Sequence, residues 1–159
     1  MNNLFIFGAT YVIILSPIVA LCFLWKLPHE RRKGFVIVGL ISAAVSYAIA
    51  KAVSHLYVDP RPFVVTHVAP LIPHAADNGF PSDHALLVGV VASVVSLYDR
   101  RFGAVLWFIA FLVGISRVIV GVHHLVDILG SFLIASVSSY VVYRMWQRRT
   151  SEAAGTIER

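Results

Sequence analysis

Residues 116–127 hold Arg117, His123, His124 and Asp127 between two long apolar runs. Ionisable groups at the edge of a lipid-soluble segment are costly, so they mark function by default. His123 and Asp127 are four residues apart, which on a helix places them on one face. A carboxylate there can take the Nδ1 proton of the imidazole and leave Nε2 bare, the state in which a histidine acts as base or nucleophile. The same spacing suits a metal, with His84 as a third ligand, but arginines beside a divalent cation would be repelled. Two more segments carry compatible chemistry. One is Lys51 followed by Asp59-Pro60-Arg61-Pro62-Phe63; the other is Phe80-Pro81-Ser82-Asp83-His84. Arg61 and Arg117 can each fork onto oxyanions. Ser82 and Asp83 are N-cap residue types, so a helix starts there, with His84 in its first turn and its free N–H groups aimed at an anion.

The elements that position these groups are membrane spans. The chain of 159 residues is 58% hydrophobic and only 13% charged, against about 25% charged in soluble domains. Apolar runs cover residues 4–25, 34–58, 82–98, 102–120 and 125–146. A spanning helix needs about 20 residues, and lipid forbids open sheet edges. The expected fold is therefore an all-α integral membrane bundle of about five transmembrane helices. It forms one domain over residues 1–149, followed by a polar, disordered tail over 150–159. The net charge of +5 reflects topology rather than nucleic-acid binding. Lys26, Arg31, Arg32, Lys33, Arg100, Arg101, Arg144, Arg148, Arg149 and Arg159 fall on one side if the runs alternate, and that side is expected to be cytoplasmic. The N-terminus is then outside and the C-terminus inside. Lys51, Arg61, Arg117 and six of the seven histidines gather at the outer side. The connection 59–81, with five prolines, is too long to be a mere link. Its His67 and His74 read as loop surface, or as a lid; His124 reads as a bystander.

Together the three segments resemble the signature of the type 2 phosphatidic acid phosphatase family. That signature is a lysine, six residues and Arg-Pro; then Pro-Ser-Gly-His; then Ser-Arg, five residues, His, three residues, Asp. Ser116-Arg117, His123 and Asp127 match the third part, and Pro81-Ser82-Asp83-His84 matches the second with Asp83 in place of glycine. Arg61-Pro62 matches the first, but Ser54 stands where its lysine should, with Lys51 one helical turn earlier. The segment 60–63, Leu71-Ile72-Pro73-His74 with Asp77, and the segment 80–84 look like bacterial undecaprenyl pyrophosphate phosphatases of the bacitracin-resistance type. The resemblance implies catalysis by His123, His84 and Asp127, with phosphate held by Arg61, Arg117, Ser82 and Lys51. It further implies a phosphohistidine intermediate, no metal and no other cofactor, and a polyprenyl or other lipid phosphate as substrate. It implies a bacterial plasma membrane location with the site facing outward. Family members commonly have six spans; five are visible here. A phosphatidic acid or phosphatidylglycerophosphate phosphatase is the alternative in the same class, and a small proton-coupled transporter the alternative in another.

Overall fold

A computed structural model of the chain describes residues 2–157. The helices are α1 (Asn2–Thr10), α2 (Leu15–Lys26), α3 (His29–Leu56), the short α4 (Pro62–Thr66), α5 (Asp83–Tyr98), α6 (Arg100–Ile119) and α7 (Leu125–Ile157). No strand occurs among the described residues; Pro60 and Asn78 form one isolated antiparallel bridge. Four helical stretches are long and apolar enough to cross a membrane, and α5 is a fifth, shorter apolar helix. The expected all-α membrane bundle is what the chain forms.

The first span is not one regular helix. A 3-10 turn over Val12–Ile14 separates α1 from α2. Pro17 has no N–H to give to Ile13 and its ring crowds that carbonyl. The Ser16 hydroxyl donates to Ile13 O instead, at 2.9 Å. At the other end of the chain, α7 continues through the region expected to be a tail. No proline interrupts it, and Thr150 Oγ1 and Ser151 Oγ bond back to the carbonyls of Trp146 and Gln147. Arg159 lies outside the described residues.

Helix α5 is the axis of the bundle. It packs against α2, α3, α6 and α7, and Ala85, Val88, Ala92 and Val95 are fully buried on it. Close approach to α7 depends on Gly89, where a Cβ would lie 3.1 Å from Ala135 Cβ and 3.2 Å from Phe132 Cδ1. The outer surface is the inverse of a soluble protein's. Leu40, Phe108, Leu133 and many other large apolar side chains point away from the core, which lipid tolerates and water does not. Asp99 caps α6 by accepting from the backbone N–H groups of Arg101 and Phe102. It sits at the end of the bundle that holds Lys26, Arg31, Arg32, Lys33, Arg100 and Arg101. The opposite end gathers the C-termini of α3 and α6, the N-termini of α5 and α7, and the connection 59–81.

Candidate active site

The turn between α6 and α7 builds the heart of the site. Gly121, at φ +80°, follows the C-cap of α6. Gly121 N donates to Val118 O at 3.0 Å and Val122 N to Arg117 O at 3.3 Å. These are the two bonds of a Schellman motif, and glycine supplies its left-handed residue. The chain reverses at once, so Arg117 on the last turn of α6 and His123 beyond the turn reach the same pocket.

Helix α7 begins at Leu125, so His123 precedes the helix; the expected shared helical face is replaced by a cap. Asp127, the third residue of α7, reaches back and accepts the backbone N–H of His124 at 2.9 Å, half of a capping box. The same oxygen, Oδ2, lies 3.1 Å from His123 Nδ1. Asp127 is fully buried and His123 nearly so. With Nδ1 protonated toward the carboxylate, Nε2 carries the free lone pair. Burial holds the His123 imidazole below the ordinary histidine pKa, while the Asp127 hydrogen bond pulls it upward.

The pocket has a volume of about 260 Å³. Arg61, Arg117, His84, His123 and Lys51 all line it, so the structure brings together five of the seven residues assigned from sequence. Asp127 stands behind His123. Ser82 is fully buried and its hydroxyl has no partner among the described residues; it lies outside the lining and makes no side-chain cap on α5. The first backbone N–H groups of α5, beside His84, have no intrahelical acceptor. Lys51 is exposed, with Nζ 5.3 Å from the Tyr47 ring centre.

Two buried arginines define the electrostatics. Arg61 and Arg117 are 5% and 3% exposed, which for a cation demands acceptors. Arg61 has them: Nε to Asp77 Oδ1 at 2.7 Å, Nη1 to Val122 O at 2.8 Å, and Nη1 3.3 Å from His123 Nε2. Arg117 Nε and Nη2 have none among the described residues. A buried, unpaired guanidinium in a pocket with histidines suits an anionic ligand.

Sequence reasoning gave His74 and Asp77 only a place in a matched segment, with no assigned role, and passed over Asn78. His74, Asp77 and Asn78 all line the pocket. Asn78 is fully used: Oδ1 accepts from Asp59 N and Phe80 N at 2.9 and 3.1 Å, and Nδ2 donates to Ser54 O and Tyr57 O at 2.9 and 3.0 Å. It ties the end of α3 to the strand-like segment that presents Arg61. Asp77 stays below the ordinary carboxyl pKa: burial pushes it up, but the Arg61 hydrogen bond and charge outweigh that. The sequence signals were the long, proline-rich connection and, for His74 and Asp77, the segment Leu71-Ile72-Pro73-His74 with Asp77 that carries the family resemblance. His124 lies outside the pocket lining, with its Nδ1 3.1 Å from Asp59 Oδ2. Burial, then the Asp127 charge, pushes the Asp59 carboxyl above its usual range.

Asp59, His124 and Asp127 offer ligand atoms within 4.8 Å of one another, a different trio from the one that spacing suggested. Asp127 Oδ2 is already taken by His123 and the His124 amide, which leaves Oδ1 as its free atom.

The chain matches the PAP2 superfamily over residues 33–151. It is 31% identical over 144 residues to undecaprenyl-diphosphatase BcrC of Bacillus subtilis (strain 168), covering 91% of this chain and 74% of the relative. It is 34% identical over 149 residues to the putative undecaprenyl-diphosphatase YbjG of Escherichia coli (strain K12), covering 92% and 74%. Among solved structures, LpxE of Aquifex aeolicus superposes with a TM-score of 0.67 at 24% identity, covering 89% of this chain and 82% of that one. The PAP2-type phosphatidylglycerolphosphate phosphatase of Bacillus subtilis gives 0.58 at 22%, covering 93% and 75%. These two likenesses concern the fold. A match over three quarters of the chain, relatives above 30% identity, and a His–Asp pair beside two buried arginines converge: the chain belongs to the PAP2 superfamily and is a membrane-embedded lipid phosphatase.

Proposed function

We propose that this protein removes the terminal phosphate of a lipid diphosphate, undecaprenyl diphosphate above all, through a phosphohistidine. The observation that carries the reading is the single pocket holding His123, backed by Asp127, together with His84, Arg61 and the unpaired Arg117. The names of the relatives BcrC and YbjG support the choice of lipid.

In the first step His123 Nε2 attacks the terminal phosphorus and forms the N–P bond. The bond from phosphorus to the bridging oxygen breaks, and His84 gives its proton to that oxygen. Asp127 keeps Nδ1 protonated and compensates the positive ring. In the second step His84 takes a proton from water, the hydroxide oxygen attacks phosphorus, the N–P bond breaks and inorganic phosphate leaves. Arg61, Arg117 and the α5 N-terminus hold the equatorial oxygens as charge redistributes; positioned proton transfer by His84 contributes roughly 10²–10⁴ in rate. Lys51 adds charge at the rim, and Ser82 joins only if its side chain turns toward the phosphate. The pocket lies at the end of the bundle opposite the basic clusters of α2, α3 and α6, which supports an outward-facing site, an N-terminus outside and a C-terminus in the cytoplasm.

The test is phosphate release by purified protein in detergent, with EDTA present, from undecaprenyl diphosphate, phosphatidic acid and phosphatidylglycerophosphate. Wild type should favour the diphosphate and His123→Ala should be inactive. An alkaline quench should trap more phosphohistidine in His84→Ala than in wild type. Activity in His123→Ala, or loss of wild-type activity in EDTA, contradicts the reading. Preference for either monophosphate lipid moves the assignment to that lipid.

A further inference from the structure

The connection between α4 and α5 is fastened on both sides of the pocket and carries an imidazole between the fastenings. On one side Leu71 N donates to Val120 O at 2.9 Å. On the other, Asp77 holds Arg61 and Asn78 makes its four bonds. His74 lies between, half-buried, lining the pocket with its ring centre 6.1 Å from that of His123 and edge-on to it. Its Nδ1 is 3.3 Å from Ala75 O. With Nδ1–H donating there, Nε2 is the nitrogen left for a ligand.

The roles assigned above account for the phosphoryl group that is transferred. None of them holds the second phosphate of a diphosphate, the one that stays on the lipid. A monophosphate lipid leaves as an alcohol, with no anionic oxygens at that point; a diphosphate lipid leaves as a phosphate, whose oxygens need donors. Arg61 is already engaged by Asp77, and Lys51 is exposed at the rim. We propose that His74 binds the phosphate that remains on the lipid, and that it is the residue by which this pocket prefers diphosphate to monophosphate lipids. This rests on the lipid-phosphatase reading of the same pocket.

The surroundings make the contact dependent on charge. His74 shares the pocket with Lys51 on α3, Arg61 at the start of α4, Asp83 and His84 on α5, Arg117 on α6 and His123 in the α6–α7 turn, with Asp77 on its own segment. Burial, then Arg61, keeps its ring neutral more readily than usual. A diphosphate placed among these groups reverses the local field and favours the imidazolium, a charge-assisted donor.

The experiment compares kcat/KM for two pairs that share a tail, undecaprenyl diphosphate with undecaprenyl phosphate and farnesyl diphosphate with farnesyl phosphate. The proteins are wild type, His74→Ala and His74→Gln, the last keeping a neutral donor. The diphosphate-over-monophosphate ratio should fall about 10–100-fold in His74→Ala, the size expected for a lost charged hydrogen bond. The fall should be smaller in His74→Gln, and the rise of diphosphate KM with pH should flatten in both. Thermal unfolding of each variant in the same detergent reports its folding, and only variants that unfold like wild type are compared. An equal loss on both members of a pair, or an unchanged ratio, overturns the role of His74 while leaving the lipid-phosphatase reading in place. Wild type inactive on all four lipids overturns both.

Discussion

Arg61 Nη1 stands 3.3 Å from His123 Nε2, so a guanidinium caps the nitrogen proposed to attack phosphorus. The contact also identifies the lone pair: a donor that cannot be deprotonated beside Nε2 is compatible only with the tautomer whose proton is on Nδ1, toward Asp127. The same arginine can hold the nucleophile ready and then hold the phosphoryl oxygens once substrate arrives.

Arg61→Lys removes the planar fork and should lower kcat/KM by about 10²–10³, as removal of one fixed transition-state donor does elsewhere. Asp77→Asn leaves the fork and an acceptor for its Nε but removes the charge that anchors it. Because Asp77 is largely exposed, its loss should cost only about three- to tenfold, mostly in KM. Steady-state kinetics of the two variants on one lipid substrate checks the difference.

The pH profile should report His123. The proposed attack needs Nε2 unprotonated, so kcat/KM should fall as pH drops through the His123 pKa. That pKa is below 6.5, with burial as the main cause, so the acid limb should lie below pH 6.5. Asp127→Asn removes an influence that raises the pKa. Its acid limb should move lower still, while kcat drops by about 10⁴ because the ring loses its tautomeric anchor. A limb that moves up in Asp127→Asn contradicts this pairing.

Asn78 should behave as a positioning residue. Asn78→Ala leaves the backbone groups of Ser54, Tyr57, Asp59 and Phe80 without their partner. Each unmatched group costs on the order of 1 kcal/mol where burial keeps water out, so a total near 2 kcal/mol is expected from this partly exposed site. A lower unfolding temperature in detergent should accompany a loss of activity of at least tenfold, because Arg61 is no longer held in register.

Gly121→Ala places a Cβ at φ +80°, where L-residues are disfavoured by about 1 kcal/mol. No clash is involved, since the nearest atoms to such a Cβ are 3.8 and 3.9 Å away, on Pro70. The substitution should lower stability slightly and reduce kcat more than KM, because it loosens the turn that sets His123 against Arg117. Thermal unfolding measured together with kcat separates the two effects.

Much of this was legible in the sequence because it is local. The lengths of the apolar runs gave the spans. The spacing of Arg117, His123 and Asp127 gave the pair that the turn assembles, though by a cap rather than a helical face. Gly121 sat in that stretch and was the available sign of a helix ending. What was not legible is joined over distance. Arg61 meets Asp77 across sixteen positions and Asp59 meets His124 across sixty-five. No periodicity encodes such contacts; they exist because the proline-rich connection folds back onto the bundle and Asn78 fastens it. His74 stayed open between loop surface and lid for the same reason: its neighbours are set by where the connection is pinned.

The short central helix has a last consequence. With 16 residues, α5 spans roughly 24 Å at 1.5 Å per residue, less than the hydrocarbon thickness of about 30 Å. Its two longer neighbours, α3 and α7, overrun that thickness at 28 and 33 residues. If the end of α5 beside Arg100 and Arg101 is level with one bilayer surface, the end that carries His84 stops short of the other, and the pocket is then sunk like the floor of a well. In that arrangement a lipid headgroup sinks to meet the pocket while its tail stays dissolved among its neighbours in the bilayer.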